Sequence, residues 1–144
     1  MSSGEYISEK ELDLLVGGLE DVVSEIRNGA GWAEVEDNVW KLYVKAEMMA
    51  TSMKLRLGVE KPGEFITMVE KQPITEHVIV ALDSITRARE SVEARDHLQA
   101  LERLRGCRND LRAFLDASRK LRLKRARARA VSTATSSSLS SSPS

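Results

Sequence analysis

Between Leu12 and Ile26 the apolar residues Leu12, Leu15, Val16, Leu19, Val22, Val23 and Ile26 fall at spacings of three and four. Only an α-helix turns that spacing into one continuous stripe, because residues three and four apart share a helix face whereas a strand alternates every second residue. A helix with a single apolar stripe has to bury it, so the chain is committed to packing helices on helices. Ser8 followed by Glu11 reads as a capping box that starts this helix, and Asn28-Gly29 stops it. Gly17 and Gly18 lie inside and together cost roughly 2 kcal/mol against Ala. Gly17 flanks the stripe, so either another helix approaches closely there or the packing is loose.

The same periodicity continues downstream. Trp32, Val35, Val39, Leu42, Ala46, Met49, Met53 and Leu57 repeat nearly as a heptad, giving a second helix over 31–57 that Gly58 closes. Such a helix is roughly 40 Å long, and the turn from Gly29 to Gly31 is short enough to make it an antiparallel neighbour of the first. Val59 to Pro73 reads as a connector, with Lys61-Pro62-Gly63, Gln72-Pro73 and a short helix expected over 63–71 around Phe65, Ile66, Met68 and Val69. Thr75 is the expected N-cap of a third helix, 75–93, whose buried side is Val78, Ala81, Leu82, Ile85, Ala88 and Val92. A break at Ala94 to Asp96, with Asp96 as N-cap, separates it from a fourth helix, 96–123. Its residues Leu98, Leu101, Leu104, Leu111, Phe114, Leu115 and Leu121 need a partner surface that one continuous rod would not provide.

The expected architecture is all-α: an up-down antiparallel four-helix bundle made of two helical hairpins, over 8–123, after an N-terminal arm of 1–7. Residues 124–131 form a basic extension without an apolar stripe, and the Ser-rich segment 132–144 is expected to be disordered. A scarcity of aromatic residues (4%) fits a core of aliphatic side chains and argues against an all-β fold. A single cysteine, Cys107, excludes an internal disulfide and multi-cysteine metal sites and suggests a reducing, cytoplasmic setting. The longest apolar run is Val78 to Leu82, and the first residues lack a basic region followed by an apolar one, so neither membrane spanning nor secretion is expected. High charge (31%) with three Asn and two Gln is a balance found in proteins of high-temperature organisms.

Little in the chain suggests chemistry. His77 and His97, beside Glu76 and Asp96, are expected to be ordinary solvated residues at helix starts. Glu93 and His97 supply two metal ligands only if the helix is continuous there, short of the set a di-metal bundle needs. Arg105 and Arg108 flank Cys107 and could lower its pKa, but no positioned base accompanies it, and the competing reading is a small core or boundary residue. No phosphate loop or zinc motif occurs. The chain is therefore expected to be non-enzymatic, with no cofactor, metal or catalytic residue.

Two surfaces remain as candidates. Trp40, Val44 and Met48 fall at i, i+4 and i+8 on a second side of helix two and suit a partner helix or self-association. The competing reading places helix two at the centre, covered on that side by Phe65 to Val69. Arg119, Lys120, Arg122, Lys124, Arg125, Arg127 and Arg129 form the second candidate, a cationic run with no acid after Asp116. It suits an acidic protein or, without base-stacking aromatics, a sequence-independent contact to nucleic-acid phosphates. It also suits a solvated helix end. In an up-down bundle part of it would face Glu5, Glu9, Glu11 and Asp13, leaving Lys124 to Arg129 free. The functional expectation is a cytoplasmic protein–protein interaction module or accessory subunit, with a nucleic-acid-associated protein as the alternative.

Overall fold

A computed structural model describes residues 9–58 and 73–140, with side chains described as far as Ser132. Four helices make up the fold: α1 (Glu9–Arg27), α2 (Trp32–Leu57), α3 (Ile74–Glu93) and α4 (His97–Ser140). The expected short helix over 63–71, the capping residue Ser8 and the N-terminal arm lie outside the described residues.

Each tight connection is set by a residue in the left-handed region. Gly29 (φ 73°) ends α1, with the Gly29 N–H donating to the Ile26 carbonyl and the Ala30 N–H to the Glu25 carbonyl, which satisfies carbonyls the helix leaves open. The α3–α4 break uses the same pair of bonds, Arg95 N–H to Val92 and Asp96 N–H to Ser91, although the residue at φ 61° is Arg95 rather than glycine. Asp96 then caps α4, its Oδ1 accepting from the Gln99 N–H at 3.1 Å. The expected break is therefore present, and Glu93 and His97 do not share a continuous helix. Thr75, expected as the N-cap of α3, lies inside its first turn instead. Pro73 (φ −54°) precedes the first helical residue, Ile74, and its carbonyl takes the Glu76 N–H.

Around the bundle the packing order is α1, α2, α4, α3. Gly18 meets Leu42 and Glu25 meets Asn38, so α1 and α2 are antiparallel. Glu36 lies by Ser118 and Glu47 by Arg108, so α2 and α4 are antiparallel as well. His77 opposite Asp110 and Ser91 opposite Gln99 do the same for α3 and α4. It follows that α2 and α3 point the same way. A simple up-down order is replaced because the fourteen residues 59–72 can reach roughly 48 Å, longer than α2 itself. The C-terminal part of α4 consequently stands beside the start of α2, not beside the start of α1.

Leu12, Leu15, Leu19 and Val22 meet Val35, Val39, Met49 and Met53, Val78, Ala81 and Ile85, and Leu101, Leu104, Leu111 and Phe114 in one core. Leu98, expected to be buried, is 52% exposed. At 100° per residue it lies roughly 140° around α4 from the middle of the buried row. At Gly17, where close approach or loose packing was expected, the space is open; the close approach occurs at the neighbouring Gly18, where an added Cβ would come 2.5 Å from Leu42 Cδ2. Beyond Leu123 the basic residues 124–131 continue α4 as the expected helical extension, and where a disordered tail was expected from Ser132 the α4 backbone runs on to Ser140. Adding residues to an existing helix needs no new nucleus, so Ala, Arg and Ser can extend it without a core.

Candidate partner-binding face

Eight residues after its start, α2 begins a row of apolar side chains that faces away from the core. Trp40 is 53% exposed, Val44 37%, Met48 68% and Leu55 75%. Measured around the helix, the row lies roughly opposite the Val35, Val39, Ala46 and Met53 stripe. The expected second stripe is thus present and open, and Leu55 extends it. Leu55 was legible in advance, since fifteen residues from Trp40 bring it back to roughly the same side of the helix. The connector that was the competing cover lies outside the described residues.

The order of packing places this row next to α4's cations. A cleft of about 450 Å³ opens between the two helices, lined by Glu36, Asp37, Trp40, Leu115, Asp116, Arg119 and Arg122. Trp40 and two members of the basic run, Arg119 and Arg122, are therefore parts of one site rather than two. Tyr43 supports Trp40 from the side, with ring centroids 5.6 Å apart. Its hydroxyl is pushed above its ordinary value first by burial and then by the Glu47 carboxylate, while Arg112 and Arg108 pull it down. Those opposing effects place both arginines close to the aromatic pair.

Most acids bordering the row are already engaged. Glu47 pairs with Arg108 at 3.3 Å, Asp37 with Lys41 at 3.2 Å and Glu36 with Arg122 at 2.8 Å. Ser118, fully buried, donates to Glu36 Oε2 at 3.0 Å and accepts from Trp32 Nε1 at 2.7 Å, locking the Arg122 partner in place. Exposed Arg112 and Arg119 make no ion pair among the described residues. Lys120, Lys124, Arg125, Arg127 and Arg129 are exposed along the outer length of α4.

No family model matches the chain, and neither a curated protein nor a solved structure does so at a significant level.

Contact with the N-terminal acids does not occur as expected. Arg122 takes Glu36 and Asp13 takes Arg89, because α1 and α4 are diagonal and parallel, while Glu5 lies outside the described residues. Cys107 is fully buried, as the core reading has it, and burial followed by the nearby Asp110 charge raises its thiol pKa rather than the flanking Arg105 and Arg108 lowering it. A thiol so placed is a core residue and no nucleophile.

His77, expected to be solvated, is buried with Nδ1 3.2 Å from Asp110 Oδ1. Its position was legible, since His77, Ala81, Ile85 and Ala88 share one side of α3. The identity of its partner was not, because Asp110 is thirty-three residues away. Among the described residues no three His, Cys, Asp or Glu side chains converge as a metal site, and no helix is long and apolar enough to cross a membrane.

Proposed function

We propose that this protein is a non-enzymatic docking module, an accessory subunit that holds a partner protein on the outer face of α2. The observation that carries this reading is the open row of Trp40, Val44, Met48 and Leu55 opposite the core. Among the described residues only Tyr43 packs a ring against this row, and large apolar side chains left exposed over four turns of one helix face mark an interaction surface. Burial of Cys107 supports a non-catalytic role, since it removes the one nucleophile candidate.

Affinity purification from the native source, with and without nuclease, tests the reading when run beside Met48→Glu. The expected result is a nuclease-resistant partner that the variant loses. A strictly monomeric protein in sedimentation with no recovered partner, or a partner indifferent to Met48→Glu, overturns it.

A second reading rests on a separate observation: among the described residues, of the seven cations from Arg119 to Arg129 only Arg122 is in an ion pair, and the others are exposed. In that reading they contact nucleic-acid phosphates. Salt-dependent retention on DNA or RNA should then disappear on truncation after Leu123 together with Arg119→Ala and Lys120→Ala, a set of changes that spares the Ser118 and Arg122 contacts. Retention unchanged by the truncation excludes it.

A further inference from the structure

Resting on the docking reading, we infer that the occupant of the α2 face is an amphipathic helix that carries carboxylates along its flank. The apolar row sets the shape of the occupant. From Trp40 to Leu55 it runs about 22 Å, the length of a helix of about fifteen residues. The row follows the axis of α2, with the cleft on the α4 side at its Trp40 end, and an apolar helix face beside such a cleft receives another helix through anchors at i, i+3, i+4 and i+7.

The charges set its chemistry. Along α4, Arg112 and Arg119 are exposed, seven residues apart and thus two turns apart on one side, next to Tyr43 and Trp40. Neither has a carboxylate among the described residues, whereas Glu36, Asp37 and Glu47 are each held by a cation of this chain. Asp116 is the one acid of the border outside such a pair, so the α4 rim of the cleft is net positive. A partner with neutral flanks would gain nothing from the excess positive charge of this rim. One with basic flanks would meet like charge, and carboxylates two turns apart on the occupant match the spacing of the two arginines. Exposed charges of this kind govern specificity and the rate of encounter more than bulk affinity, so the signature is a preference that salt erodes.

The test uses the full chain and three synthetic helical peptides of about fifteen residues with the same four-leucine face and with Glu, Gln or Lys on the flanks. None contains Trp, so emission from exposed Trp40 reports occupancy, with a Trp40→Phe control. At low salt the Glu peptide should bind at least about tenfold more tightly than the Gln peptide, and raising salt should shrink the gap. Arg112→Glu with Arg119→Glu, both at exposed positions, should transfer the preference to the Lys peptide. Met48→Glu should weaken all three. Equal binding of the Glu and Gln peptides overturns the acidic partner while leaving the docking face standing. Preference that survives the double reversal, or no binding by any peptide, overturns the inference as well. Peptide binding indifferent to Met48→Glu, or an emission change that persists in Trp40→Phe, moves the site off α2 and counts against the docking reading itself.

Discussion

Replacing the two adjacent glycines of α1 by alanine should have opposite consequences. Both sit in regular helix, where Ala is favoured over Gly by about 1 kcal/mol. At Gly17 an added methyl meets nothing within 4 Å, so Gly17→Ala should deliver that whole gain. In a domain of this size it corresponds to a rise of roughly 3 °C in Tm. At Gly18 the new Cβ would lie 2.5 Å from Leu42 Cδ2, well inside contact distance. Leu42 must then leave its rotamer or push α2 outward, which costs on the order of 1–2 kcal/mol. Gly18→Ala should therefore come out between no net change and a loss of about 1 kcal/mol. Urea titration measures both, with an unchanged m-value as evidence that only stability moved. In a Leu42→Ala background the obstruction is gone, and Gly18→Ala should recover its gain of about 1 kcal/mol, a coupling that a double-mutant cycle isolates. Equal stabilisation by both alanines in the parent, or no coupling to Leu42, would refute the close approach of α1 and α2 at this point.

Three further outcomes follow from the packing. Arg95→Gly should stabilise the protein by about 1 kcal/mol, because the residue at φ 61° is not a glycine and side chains resist the left-handed region; thermal unfolding measures it, and destabilisation would contradict the turn geometry. Asp110 is held above its ordinary 3.8 mainly by burial, with His77 opposing. The folded state thus binds that proton more tightly than the unfolded chain, so the contribution is complete below 3.8 and is lost as pH rises through the folded pKa. The stability of Asp110→Asn relative to the parent should grow as pH rises from 3.8 to the folded pKa and level off above it in denaturant titrations, and a flat or falling difference across that window would argue against it. Cys107 should react with a thiol reagent in native buffer only as fast as the molecule opens, with rates that climb alongside unfolding as denaturant is added; rapid labelling of native protein would place the thiol elsewhere.

Much of this was legible before any coordinates. The helical pattern of α1 and α2 was readable because period and caps are local: Leu12 to Ile26 and Trp32 to Leu57 each carry their own stripe, and Gly29 and Gly58 their own stops. The break after α3 was legible only through Asp96, since Arg95 hides a glycine-type turn behind a charged side chain. Leu98 shows the opposite failure, an apolar residue of the right kind on the wrong side of its helix. The site was half legible. Trp40, Val44, Met48 and the cations from Arg119 to Arg129 could be named, but as two unrelated surfaces.

By itself, then, the chain determined four helices, where three of them stop, and that α2 has more apolar surface than one seam uses. These are consequences of residue spacing along a few turns, which no distant segment has to supply. Tertiary structure alone decided that α4 packs beside α2, that Ser118 joins Trp32 to Glu36, and that His77 finds Asp110. Which helices become neighbours depends on how four apolar stripes are best covered at once, a property of the assembled bundle. That arrangement brought Trp40, at one end of the exposed row, together with Arg119 and Arg122 of the charged helix around one cleft.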